Sequence, residues 1–224
     1  MPQKLLDYQE SWKRFFPEFE IWRWDESNFD VHCCRYVSEA YDACKWAFVS
    51  DYCRFWALEQ FGGIYFDTDV EVIRPLDELL ELNAFAGFET EKDIAPGLVL
   101  YSKEPHNVII REAKDWYEAN PFLDEQGKRI PINVCGVFTN ILRQYGFIPN
   151  GQLQTCGGLT LFPKEYFCPF DNATGLLHKT ENTYTIHWYD KSWIAPSMRL
   201  RSRITRFFHR WFGVNCFAPF KRNK

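Results

Sequence analysis

The stretch FGGIYFDTDVEV, residues 61–72, runs from a pair of glycines through an apolar segment to Asp67, Asp69 and Glu71, acids at every second position. Side chains two apart on a strand share a face, so an extended conformation stacks these three carboxylates along one side. Like charges facing one another repel, and a buried carboxylate without a partner is costly. Such an arrangement calls for a cation, a basic partner or open water.

Three explanations compete. A hydrated strand edge leaves the acids wet, but the preceding Ile64, Tyr65 and Phe66 start the strand in a core and deliver the acids to its C-terminal end. Ligands of α/β sheets bind near such ends. A calcium loop beginning at Asp67 finds acids at the right spacing, yet Val72 stands where that loop needs its glycine and Pro75 follows. An apolar strand leads in where a helix is needed, and the loop is rejected. The third is an enzyme site in which Mg²⁺ or Mn²⁺ bridges Asp67 or Asp69 to phosphate oxygens and offsets the charge on a departing diphosphate. An Asp-x-Asp phosphatase nucleophile is related, but Glu71 stands where that motif expects a small hydroxyl residue or valine, and no lysine-plus-acid partner set follows.

Upstream, KWAFVSDYCRFWALEQF (45–61) predicts a long, largely buried helix stopped by Gly62 and Gly63. Asp51 and Arg54 lie three apart on it, the spacing of an ordinary surface ion pair. Their neighbours Phe48, Val49, Cys53, Phe55 and Trp56 are too apolar for open surface. Helices are also expected at 4–16, with Trp12, Phe15 and Phe16 inward, and at 35–44, 76–82, 105–119 and 136–145. Strands are expected at 19–24 (FEIWRW), 64–73, 85–89, 98–102, 159–163 and 183–189. Alternating helices and strands predict an α/β sandwich with a mixed, mainly parallel sheet.

The chain has 224 residues, 46% apolar and 18% aromatic, enough for one substantial domain and unlike a disordered composition. No run of about 18 apolar residues could cross a membrane, and the charged start MPQKLLDYQESWKR argues against a secretory signal. Eight cysteines without CxxC pairs are expected to be buried free thiols in a reducing cytosol. The net charge of −4 conceals an asymmetry: residues 191–224 hold nine Lys/Arg and no acid, leaving 17 basic against 30 acidic residues in 1–190. An acidic body disfavours nucleic-acid binding. In the tail 198–224, Ile204, Phe207, Phe208, Trp211 and Phe212 share one helical face flanked by arginines, the pattern of an interfacial helix attracted to anionic lipid. A C-terminal helix packed on the body with wet arginines is the competing explanation.

The run VSDYCRFWALEQFGGIYFDTDVEVIRPLDELL (49–80) closely resembles the DXD sugar-binding region of glycosyltransferase family thirty-two, which includes bacterial capsule and lipopolysaccharide transferases and yeast initiating mannosyltransferases. ESWKRFFPEFEIWRWDESNFD (10–30) and TYTIHWYDKSW (183–193) resemble its early and closing elements. The resemblance implies a GT-A-type single nucleotide-binding α/β sandwich over 1–197, with 198–224 as a basic appendage. It implies a divalent metal, Mn²⁺ or Mg²⁺, a UDP- or GDP-sugar donor, a glycan or glycolipid acceptor, and retention at the anomeric carbon. By position, Asp67 and Asp69 would form the catalytic pair and, with His187, the metal ligands. Asp51, Arg54, Asp67, Asn133, Ser192 and Trp193 would hold the donor, Trp193 covering the leaving phosphate. A cytoplasmic enzyme, peripheral on the inner membrane face and serving cell-surface polysaccharide synthesis, is the expectation. The family's usual first strand precedes the point where this sequence starts, so a catalytically degenerate nucleotide-sugar or glycan-binding module is the alternative.

Overall fold

Two apolar layers are separated by a sheet whose strands send successive side chains to opposite faces. The computed structural model describes residues 3–190 and 196–216. Along the chain these form α1 (Gln3–Phe15), α2 (Arg35–Asp42), α3 (Trp46–Phe61), β1 (Gly63–Tyr65), β2 (Val70–Val72), α4 (Asp77–Leu80), β3 (Ala84–Gly87), β4 (Leu100–Ser102), α5 (Val108–Ala119), α6 (Val134–Gln144), β5 (Gln154–Cys156), β6 (Leu159–Phe162), α7 (Lys164–Phe167), β7 (Thr185–His187) and α8 (Pro196–Phe212). The main sheet runs β1-β4-β3-β6-β5, and β2 pairs with β7 in a separate two-stranded sheet.

Alternation assigns each strand residue to a layer. Ala84, Ala86, Leu100, Leu159 and Leu161 join the aromatic core under α2, α3, α5 and α6, with Tyr36, Phe55, Tyr117 and Phe138. The two alanines of β3 leave room for those rings. Phe85, Tyr101 and Phe162 point the other way, into a layer with Phe16, Leu76, Leu98 and Phe167. On that side Gly87 is obligatory, because a Cβ there would lie 2.6 Å from the Phe167 ring. The result is a mixed α/β architecture, as expected and consistent with a GT-A-like fold.

Several expectations change. Among the described residues only the β3–β6 pair is parallel, whereas β1–β4, β3–β4 and β5–β6 are antiparallel, so the sheet is mixed but not mainly parallel. FEIWRW is not a strand: no neighbouring backbone pairs with it among the described residues, and Trp22 and Trp24 pack on Phe61 and Trp56. All eight cysteines are free, but Cys33 and Cys44 are exposed where the chain turns on either side of α2.

The predicted strand 64–73 is broken in two. Gly62 takes φ 66 as it caps α3, and the chain enters β1 at the sheet edge. It then turns at residues 66–69, where Asp67 N–H donates to the Gly97 carbonyl (3.0 Å) and Val70 N–H to the Asp67 carbonyl (3.0 Å). The chain leaves along β2, which is gripped from its other side by α1: Trp12 Nε1 donates to the Val70 carbonyl and Val72 N–H to Ser11 Oγ, both at 2.9 Å.

Candidate active site

The turn between β1 and β2 brings Asp67 and Asp69 together, so the acids do not line one continuous strand face. Asp67 and Asp69 have different basic neighbours. Asp67 meets Arg54 at 3.2 Å and accepts from the Tyr65 hydroxyl at 2.9 Å. Arg54 is almost fully buried on α3, ion-paired to Asp51 at 2.8 Å, and its guanidinium lies 4.8 Å from the Tyr65 ring centre. Burial of Arg54 opposes its charge, but Asp67, Tyr65 and Asp51 together hold it firmly protonated. For Asp51 burial dominates over the pull of Arg54, and with repulsion from Asp67 its carboxyl is pushed up to about 6. One guanidinium thus serves two carboxylates and fully satisfies neither.

Asp69 draws on the far end of the chain. Its Oδ1 lies 3.0 Å from His187 Nε2, and its Oδ2 accepts from the Asp190 backbone N–H at 2.9 Å. The register of β2 with β7 makes this possible, since it sets Val70 opposite His187, and Trp188 N–H continues the pairing to the Asp69 carbonyl at 3.0 Å. Burial favours a neutral Asp69, yet the His187 contact and the Asp190 N–H outweigh it and hold the carboxyl below its ordinary range. Burial likewise disfavours a charged His187, and Asp69 overrides it to raise the imidazole.

Among the described residues, Asp67, Asp69 and His187 form the cluster whose donor atoms lie within 4.8 Å of one another. The set fits a divalent cation: two carboxylates and one imidazole suit Mn²⁺, and Mg²⁺ less well because it favours oxygen ligands. His187 also keeps a buried Nδ1 with no hydrogen-bond partner, as does Asp190 its Oδ2, leaving polar capacity at the site unused. Three carboxylates at 51, 67 and 69 face one permanent positive charge. The local excess is negative.

Sequence reasoning missed Gly97, Tyr189 and Glu89, each brought to the site by a contact distant along the chain. Gly97 lies against the acids so closely that a Cβ would sit 2.1 Å from Asp67 Oδ2 and 2.8 Å from Arg54 Nη1. Tyr189, at φ 51 and with its ring 4.0 Å from that of His187, donates to Glu89 at 2.6 Å and contacts Cys168 Sγ at 3.1 Å. Glu71, for which simple exposure was one reading, is half-buried and accepts from Trp188 Nε1 at 2.8 Å. Asn133 caps α6, accepting from the Cys135 N–H at 3.0 Å, and Cys135 Sγ in turn faces Glu89 at 3.6 Å. Ser192 and Trp193 lie outside the described residues.

Two groups of residues far apart in the chain, 51–69 and 187–190, therefore make one site. Residues 2–86 match the family model described as the glycosyltransferase sugar-binding region containing DXD motif. This match supports a glycosyltransferase-like role, and the DXD of that region is Asp67-Thr68-Asp69 here. No curated protein and no solved structure matches the chain. The matched sugar-binding region ends in β3, so it contains Asp51, Arg54, Asp67 and Asp69 but not His187, which the fold adds through β7.

Gly97→Ala tests how closely this site is packed. Asp67 is tied by Arg54 and Tyr65, so the new methyl group must displace a short, anchored side chain at a cost of about 1–3 kcal/mol. The expected outcome is a lower melting temperature together with weaker Mn²⁺ binding by isothermal titration. Unchanged values for both would show that Asp67 swings aside freely.

Proposed function

We propose that the protein is a divalent-metal-dependent glycosyltransferase that moves a sugar, with retention at the anomeric carbon, from a UDP- or GDP-sugar to a hydroxyl of a glycan or lipid-linked glycan. The observation that carries this reading is the abutment of two charge systems at one turn: Asp51–Arg54–Asp67, which offers hydrogen-bonding groups to a sugar, and Asp67–Asp69–His187, which offers ligands to an ion.

In the reaction the bond between anomeric carbon and diphosphate oxygen breaks, the acceptor oxygen bonds to that carbon, and the acceptor hydroxyl passes its proton to the departing diphosphate. Asp67, Asp69 and His187 would hold Mn²⁺ or Mg²⁺, which when bound offsets the charge developing on the diphosphate. Arg54, fixed by burial and by two carboxylates, donates to donor hydroxyls, and Asp51 accepts from them. Fixed orientation of this kind lowers the entropic part of the barrier. Ser192 and Trp193 are assigned by resemblance to the segment that closes over the diphosphate and excludes water. Residues 1–197 would form the catalytic unit, working at the cytoplasmic membrane face in cell-surface polysaccharide synthesis. Asn133, at the mouth of α6, is proposed as a donor contact.

A panel of UDP- and GDP-sugars with Mn²⁺ tests the proposal, read as metal-dependent transfer or hydrolysis and as donor affinity against pH. The folded-state pKa of Asp51 is raised to about 6. A protonated Asp51 cannot accept from a sugar hydroxyl as a carboxylate does, so affinity is expected to fall below that point by up to about ten-fold per pH unit. Stability responds in the opposite direction. The contribution of Asp51 to folding is full below its ordinary value of about 3.9 and disappears as pH climbs through about 6. Asp51→Asn should bind more weakly and lose the part of both pH dependences that Asp51 contributes, while the part that His187 imposes through the metal remains. Donor binding without turnover would assign the chain to a binding module, and activity that survives removal of metal by a chelator would defeat the mechanism.

A further inference from the structure

Helix α8 faces the wrong way for a helix that belongs to the core. Its inward side is polar: Arg206 donates to the Asn172 carbonyl (3.0 Å) and to Asn172 Oδ1 (2.7 Å), His209 Nδ1 lies 3.2 Å from the Ala173 carbonyl, and Arg210 donates to the Gly175 carbonyl at 3.2 Å. Arg206 also lies over the Phe170 ring, at 5.2 Å. The helix is thus anchored to the loop at 170–175 by its cationic side. The opposite side carries Ile204, Phe207, Trp211 and Phe212, which are 51%, 60%, 69% and 67% exposed. An amphipathic helix that packs on a domain ordinarily buries this stripe, and a large exposed apolar face marks an interaction surface.

We infer that α8 is an interfacial helix whose outward aromatic face inserts into an anionic lipid bilayer while the exposed Arg201 and Arg210 at its flanks engage the headgroups. The charge pattern selects this partner. Between Pro196 and Phe212 the sequence holds five arginines and no acid, and the chain beyond adds Lys221, Arg222 and Lys224. Among the described residues, neither Arg201 nor Arg210 meets a carboxylate, and the bond from Arg210 Nη2 to the Gly175 carbonyl leaves its charge uncompensated. Residues 1–190 carry 13 more acids than bases, so anionic lipid would repel the body and attract this helix, orienting the molecule with α8 toward the surface. Trp and Phe are the side chains favoured at the boundary between headgroups and acyl chains. No helix among the described residues is long and apolar enough to cross a membrane, so the contact is peripheral.

The inference stands apart from the donor chemistry, and its test does too. The full chain is floated with phosphatidylcholine vesicles, with and without phosphatidylglycerol. Partitioning is expected to rise roughly ten-fold or more with the anionic lipid and to fall again at high salt. Phe207→Ser combined with Trp211→Ser should remove most of this binding yet leave Mn²⁺ affinity intact, which shows that the variant folds. Asp69→Asn should float like the wild type. Equal binding to neutral and anionic vesicles, or no loss in the double variant, would overturn the inference. So would a concentration-dependent dimer that the double variant abolishes in a protein that ignores vesicles, because the face would then join two copies of this chain.

Discussion

Arg54→Met is expected to destabilise the protein by about 3–5 kcal/mol, the usual consequence of removing one partner from a buried ion pair. The cause is what remains. Asp51 and Asp67, 14% and 29% exposed in their side chains, would repel each other with no guanidinium between them, and Tyr65 would lose the cation above its ring. For a chain of this size the melting temperature should drop by roughly 6–20 °C. Mn²⁺ should recover part of the loss, because the ion takes over neutralisation of Asp67. Combining Arg54→Met with Asp67→Asn should cost less than the sum of the two changes, since the second removes the charge that the first exposed. A loss under about 1 kcal/mol in urea melts would reduce the pair to an ordinary surface contact.

Asp69→Asn should abolish the response to metal. A wild-type protein at a free Mn²⁺ concentration of about 100 times its Kd gains about 2.7 kcal/mol by mass action, or roughly 5–10 °C in melting temperature. The variant keeps an oxygen that can accept from the Asp190 N–H or contact His187, so its fold should persist, but it loses the charge a cation needs. Transfer should fall at least about a hundred-fold, the scale of losing one electrostatic stabiliser of a developing anion. Protons compete with the ion, because Asp69 raises the imidazole of His187 and that ring must be neutral to ligate. The gain from Mn²⁺ in the wild type should therefore shrink as pH falls. Equal stabilisation of variant and wild type by Mn²⁺ would place the ion elsewhere.

Local sequence made Asp51, Arg54, Asp67 and Asp69 visible because they lie within 19 residues, on a helix and a turn whose boundaries the glycines at 62 and 63 mark. The face they share was misread. Period-two acids look like a strand, and it took the hydrogen bond from Asp67 N–H to the Gly97 carbonyl to show a turn. The same limit explains FEIWRW, whose alternation suggests a strand although pairing requires a neighbour that no local pattern supplies. His187 was visible through the closing motif, but its partner was not: the 118 residues to Asp69 are bridged only by the β2–β7 register. Gly97, Tyr189 and Glu89 left no local signal. A glycine that must lack a Cβ because Asp67 is there looks like any loop glycine, and a tyrosine tied to a distant glutamate looks like any core aromatic.

The pairing of Val70 with His187 would give a bound ion a second task. During synthesis, residues 51–69 leave the ribosome long before β7, and until that strand arrives they can offer a cation only two of its three ligands. Capture of metal would thereby be tied to the arrival of β7. An occupied site would report that residues 67–69 and His187 have met, and a bound ion would act as a clasp that resists their separation.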